Sequence, residues 1–217
     1  MQLPKVPKSF AWVGLLTILA IISYYWFSNT PLFNNLLIWS KENFWLFLFI
    51  ITLYKFISII YPPLVGGVVT IAAVPIIGWE SAFVADALGS TIGGIFNYHL
   101  AKKYGISVIR KMFGESWALK VEKIKIKKGK EIESLAVIRI LSGSVVLEAI
   151  HYAAGILKID FKKYLFAMIV TQITLGIPLF YLTSVVTKGN FLWTAIALAI
   201  FIPILYKLRG RYFEIVE

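Results

Sequence analysis

Apolar residues in this chain come in long blocks separated by short polar or proline-bearing breaks. That is the pattern of helices whose outer surface meets lipid. Residues 9–28 form the first block, after Lys5 and Lys8, and end in Tyr24-Tyr25-Trp26-Phe27. Aromatic groups of this kind sit at the membrane–water boundary, so the block reads as a retained span. Residues 43–61 are apolar apart from Lys55. Pro62-Pro63 stops that helix, because proline has no N–H donor and its ring clashes with the preceding turn. An apolar helix resumes from Leu64 to Val74, about 11 residues or ~16 Å, half a bilayer core. Pro75 and Gly78 are expected to end it. Residues 79–101 are a full-length stretch carrying Glu80, Asp86 and His99. After a polar segment, Leu135–Leu141 and Val145–Leu157 are short arms on either side of Ser142-Gly143-Ser144. Residues 164–186 and 190–206 are again long enough to cross.

Composition supports this reading. Apolar residues make up 59% of the 217, against ~45–50% in a soluble domain. The net charge of +11 comes from 22 basic and 11 acidic residues. A basic excess can signal nucleic acid, but here the cations fall between apolar blocks, so no nucleic-acid partner is expected. There is no cysteine, hence no disulfide framework or thiolate site.

Charge placement then sets the topology. The N-terminus, residues 102–134, residues 158–163 and the tail are basic, whereas residues 29–42 and 187–190 are nearly free of basic residues. If every block crossed, basic loops would fall on both sides. If 43–74 and 135–157 are instead re-entrant hairpins, with tips at Pro62-Pro63 and Ser142–Ser144, every basic segment lands on one side. The predicted fold class is therefore an all-α integral membrane protein. It has about four transmembrane helices plus two opposing re-entrant helical hairpins in an inverted repeat, with a basic interfacial linker. It forms one membrane domain, 1–217: a first span (9–28), first hairpin and span (43–101), cytoplasmic basic linker (102–134), second hairpin and span (135–186) and last span (190–206). The expected location is a multi-pass cell membrane with both termini cytoplasmic, as a monomer or homo-oligomer.

Candidate chemistry lies at the hairpin tips. Each returning arm starts a helix whose free N–H groups favour an anion. Pro62, Pro63, Gly66, Ser142, Gly143 and Ser144 line these tips, and Arg139 lies just before the second. These are the expected substrate-binding residues. Asp86, Glu148 and His151 lie in apolar segments, where ionisable groups are rare and face protein or water. They are the candidates for proton or ion coupling. Lys55 and His99 are read as snorkelling or interfacial, and Glu80 as solvated. Glu148-x-x-His151 has the spacing of half a carboxylate-bridged metal site, but there is no second copy, so neither metal nor cofactor is expected. Ser90 and His99, nine residues apart, fall on opposite helix faces and make no catalytic dyad. Gly89-x-x-x-Gly93-Gly94 is a small-residue packing face. The linker is expected to contain an interfacial amphipathic helix.

Two runs resemble a known family. They are Pro62-Pro63…Gly78…Ala85-Asp86-Ala87-Leu88-Gly89-Ser90-x-x-Gly93-Gly94…Tyr98-x-x-Ala101-Lys102-Lys103-Tyr104-Gly105 and Arg139-x-x-Ser142-Gly143…His151-Tyr152-Ala153-Ala154-Gly155-Ile156. Their order and spacing over about residues 43–186 resemble the DedA/VTT (SNARE-associated Golgi protein) membrane family. The resemblance implies two opposing re-entrant hairpins and movement of lipid between leaflets. The cargo would be a phospholipid or polyprenyl phosphate, with proton or sodium coupling in some members. Arg139 carries over as an essential residue. The chain departs from the family pattern at Lys55, where an acidic residue often precedes the first proline tip, and at Ser142, which replaces a proline. Asp86 or Glu148 would then have to supply the coupling carboxylate. The expected activity is transport of a phosphate-bearing lipid, with anionic headgroups as partners and no enzymatic reaction. The alternatives are a non-transporting scaffold in membrane assembly or an intramembrane lipid-processing enzyme.

Overall fold

In the computed structural model, residues 26–61, 64, 66–122, 131–135 and 143–188 are described, apart from the side chains of 112, 113, 117, 120, 121 and 143–149. The chain divides into two compact units, Met1–Phe44 and Trp45–Glu217. Every regular element among the described residues is helical.

The first unit contributes α1, Pro31–Glu42. Thr30 caps it by accepting a hydrogen bond from the Phe33 amide, and Pro31 at the first position loses no internal bond.

The second unit contains the remaining helices. Helix α2 is Phe44–Ile60, close to the expected first hairpin arm. The chain then returns as α3, Gly66–Ala72, and α4, Val74–Ile77. Pro75 was expected to end this arm, but helix continues to Ile77. A short break at Ala73 leaves Pro75 in the first turn of α4, where its missing N–H costs nothing. Gly78, at φ +82°, makes the true stop.

Helix α5, Trp79–Tyr104, is the centre of the unit. Its buried positions include Ala82, Ala85, Asp86, Gly89, Gly93, Gly94, Ala101 and Tyr98. Small side chains on several sides let neighbouring helices approach closely. Val84, Leu88, Ile92 and Phe96 form an exposed apolar stripe at four-residue spacing. The helix runs past the expected end at 101. Lys102 and Lys103 favour its negative C-terminus, and Gly105, at φ +63°, closes it.

Two short helices follow in the basic segment, α6 (Ile106–Phe113) and α7 (Glu115–Glu122). Ile109 is buried while Arg110 and Lys111 are exposed, so α6 is amphipathic. Ile109 and Ala118 pack with Ala101, Tyr152 and Ala153. Helix α8 is Gly143–Ile156. Asp160 then caps α9, Phe161–Thr171, by accepting from the Lys163 amide at 3.1 Å. The path continues without a stop through a π-helical turn, Gln172–Gly176, into α10, Ile177–Thr187. Pro178 explains the wide turn: it has no N–H for the Thr174 carbonyl, and its ring excludes an ordinary α-turn there. Residues 161–187 form the one helix among the described residues that is long and apolar enough to cross a membrane. At 1.5 Å per residue it is about 40 Å long. Helix α5 is of similar length but less apolar, because its inner positions are Gly, Ala, Ser, Asn and Asp. Residues 9–25 of the first expected span and the whole of 190–206 lie outside the described residues.

Candidate functional site

The most polar contact within the apolar bundle is built around Asp86 on α5. Lys55 Nζ on α2 lies 3.1 Å from Asp86 Oδ1, and both side chains are about nine-tenths buried. Thr70 on α3 donates its hydroxyl to Oδ1 at 2.8 Å. Gln172, the first residue of the π-turn, donates Nε2–H to Oδ2 at 2.7 Å. Four stretches of chain therefore meet at one carboxylate. A buried charge is tolerable when paired and hydrogen-bonded, and here each carboxylate oxygen has a donor.

Local sequence makes room for this cluster. A Cβ on Gly89 would lie 2.7 Å from both Lys55 Cβ and the Thr52 carbonyl oxygen. A Cβ on Gly66 would overlap Ser58 and come within 3.2 Å of Lys55 Cδ. Both glycines are thus required by the lysine stem and by the chain reversal beside it. Lys55 is not a snorkelling residue. Its ammonium turns inward because a carboxylate waits there and two missing Cβ atoms open the route.

The C-terminus of α2 is also capped from its neighbours. Asn97 Nδ2 donates to the Ile59 carbonyl at 2.6 Å, and the Tyr152 hydroxyl donates to the Ile60 carbonyl at 2.7 Å. These carbonyls have no partner within the helix. Asn97 Oδ1 is buried and has no partner among the described residues.

A second buried cluster lies two turns further along α5, about 12 Å from Asp86 by helix rise. His151 Nδ1 on α8 is 2.8 Å from the Tyr164 hydroxyl on α9. The Tyr164 ring stacks on Tyr98 at 4.8 Å and 15°, and Tyr98 donates to the Ile159 carbonyl. A Cβ on Gly94 would lie 2.8 Å from both His151 Nδ1 and the Tyr164 oxygen. On α8, a Cβ on Gly155 would collide with the Tyr98 carbonyl oxygen.

Among the expected site residues, Gly66 and Asp86 come together around Lys55. His151 belongs to the separate cluster. Gly143 and Ser144 open α8, and Glu148 lies on its second turn, with a side chain outside the description. Pro62, Pro63, Arg139 and Ser142 lie outside the described residues. His99 is exposed with its ring against Phe161, and Glu80 is exposed. No group of three or more His, Cys, Asp or Glu converges on a metal position among the described residues.

Thr70 and Gln172 were not singled out from sequence. Gln172 had a signal, an amide inside an apolar span just ahead of Pro178, where a helix is prone to break.

Comparison with known proteins agrees in one direction. The family model for the VTT domain matches residues 62–185, which includes α3 to α9 and most of α10. An uncharacterized protein of Methanocaldococcus jannaschii, MJ0201, is 24% identical over 128 residues, 57% of this chain and 75% of that protein. No solved structure matches.

Proposed function

The chain belongs to the VTT-domain family of membrane proteins, and from that premise we propose that it moves a phosphate-bearing lipid between the two leaflets. The observation that supports this most is the Lys55–Asp86 pair, buried where the returning segment Gly66–Ile77 meets α5 and the π-turn. Ionisable groups at apolar depth are costly and mark pathways for ions or polar cargo. Interrupted helices at that depth are tolerated where they are covered by protein or border a wet cavity.

In this reading the segments 43–74 and 135–157 enter from opposite faces and turn back. The four crossings are 9–28, 79–101, 164–186 and 190–206, with both termini cytoplasmic. A headgroup enters between the tips at Pro62-Pro63 and Ser142–Ser144 and meets Arg139, while its tails stay in lipid. Asp86, Glu148 and His151 carry the coupled proton or sodium ion, if transport is coupled. The exposed apolar stripe of α5 and the exposed Phe166, Ile169 and Ile173 of the last described helix are surfaces suited to acyl chains.

The test is leaflet exchange in liposomes containing the purified full chain, with fluorescent phosphatidylglycerol and a labelled polyprenyl phosphate as probes. Wild type should exchange at least one probe, and Arg139→Ala should abolish it. A folded wild-type protein that exchanges neither probe would sink the transport reading and favour a scaffold.

A further inference from the structure

The two partners of the buried pair are not equally satisfied. Asp86 has Thr70 on Oδ1 and Gln172 on Oδ2 in addition to the lysine. Removing Lys55 would still leave a donor on each oxygen. Lys55 carries three N–H donors, and Asp86 Oδ1 is its one acceptor among the described residues. A compact ammonium, nine-tenths buried, therefore retains donor capacity that its carboxylate partner does not use. The space around its stem is kept clear by Gly66 and Gly89, where Cβ atoms would crowd it.

We infer that Lys55 receives the phosphate group of the transported molecule, and that Asp86 holds the ammonium in place until the anion displaces it. The inference rests on the transport reading and names the cation of that same site. An ammonium is a point charge with rotatable donors, which suits a tetrahedral oxyanion arriving from several directions. Asp86 can release the lysine without being stranded, because Thr70 and Gln172 remain. The pair in the resting state also spares the protein an unpaired buried cation. The shared chemistry is a phosphate carrying at least one negative charge, either on a lipid headgroup or as the free ion.

The test separates a ligand-binding lysine from a structural one. In detergent micelles, Asp86→Asn frees Lys55. Inorganic phosphate, or short-chain dihexanoyl phosphatidic acid, should then raise its melting temperature on the order of 5 °C near saturation. Wild type should respond less, and Lys55→Gln/Asp86→Asn should not respond beyond a chloride control. In liposomes, Lys55→Gln and the double variant should each lose about tenfold or more of the exchange of labelled phosphatidic acid, with Lys55→Arg retaining most of it. Uptake of radiolabelled inorganic phosphate by the same vesicles distinguishes the free ion from the lipid.

A double variant that exchanges lipid at the wild-type rate overturns the proposal, since the pair would then be structural. So does an Asp86→Asn protein indifferent to both phosphates. If folded wild type exchanges no lipid probe, the transport reading fails by itself. The phosphate-dependent shift of Asp86→Asn still decides the role of Lys55.

Discussion

Of the glycines through which helix α5 meets its neighbours, Gly89 and Gly94 make contacts that are chemically opposite. At Gly89 the close approach admits a lysine stem, and the contact closes on an ion pair. At Gly94 it admits an imidazole and a phenol, and the contact closes on a hydrogen bond and stacked rings. The second arrangement is self-sufficient, because aromatic bodies fill the volume and their polar tips find partners. The first depends on pairing, because Lys55 without Asp86 would be a buried, uncompensated cation, whereas Asp86 keeps Thr70 and Gln172. The same backbone device therefore serves packing in one place and chemistry in the other. What distinguishes them is the residue opposite the glycine.

The sharpest way to break this comparison is to remove one charge. Asp86→Ala should destabilise the protein by ~3–5 kcal/mol, while the paired Lys55→Gln/Asp86→Asn change should cost far less. Unfolding in micelles measures both, and equal losses would mean that removing the lysine recovers nothing, so that the unpaired cation is not what destabilises Asp86→Ala. The glycines come next. Gly155→Ala and Gly94→Ala should each cost ~1–3 kcal/mol through overpacking, since the added methyl meets the Tyr98 carbonyl in one case and the His151–Tyr164 pair in the other. Tyr164→Phe removes one hydrogen bond of His151 and should cost about 1–2 kcal/mol, a smaller loss than breaking the ion pair. The least effect is expected at Gly67. A Cβ there meets nothing within 4 Å, so Gly67→Ala should stabilise α3 by up to ~1 kcal/mol through a less flexible unfolded chain. A large loss at Gly67 would show that the glycines matter for a reason other than close contact.

Much of the helical framework was legible in sequence. The arm 43–61 appears as Phe44–Ile60, and 164–186 lies within Phe161–Thr187. Gly89 and Gly93 do pack against α2, Gly94 packs on another side against α8 and α9, and an amphipathic helix does lie in the basic segment. Asp86 was marked by its charge in an apolar stretch. Its partner was misread, because a lysine stem is equally compatible with snorkelling and with burial. The choice depends on a carboxylate and two glycines from other parts of the chain, and hydropathy along one helix does not encode which residues face each other. Thr70 is hidden for the same reason: a threonine in a helix ordinarily bonds its own backbone. Thr70 does lie 3.2 Å from the Gly67 carbonyl and 3.3 Å from the Gly66 carbonyl, but the placement of α3 beside α5 adds the shorter contact to Asp86 at 2.8 Å.

The π-turn has a consequence for aim. Tyr164, Met168, Gln172, Gly176, Phe180 and Ser184 are all buried, at every fourth position. On an uninterrupted α-helix such a row precesses by about 40° per step, so five steps would swing it roughly 200° around the axis. Wider winding at Gln172–Gly176 takes back part of that swing. Tyr164 and Met168 pack in the cluster around Tyr98, while further along Gly176 and Phe180 still meet Phe83. The irregular turn works as a phase corrector: it keeps one long helix pointed at one partner and sets Gln172 opposite Asp86 at the point of correction.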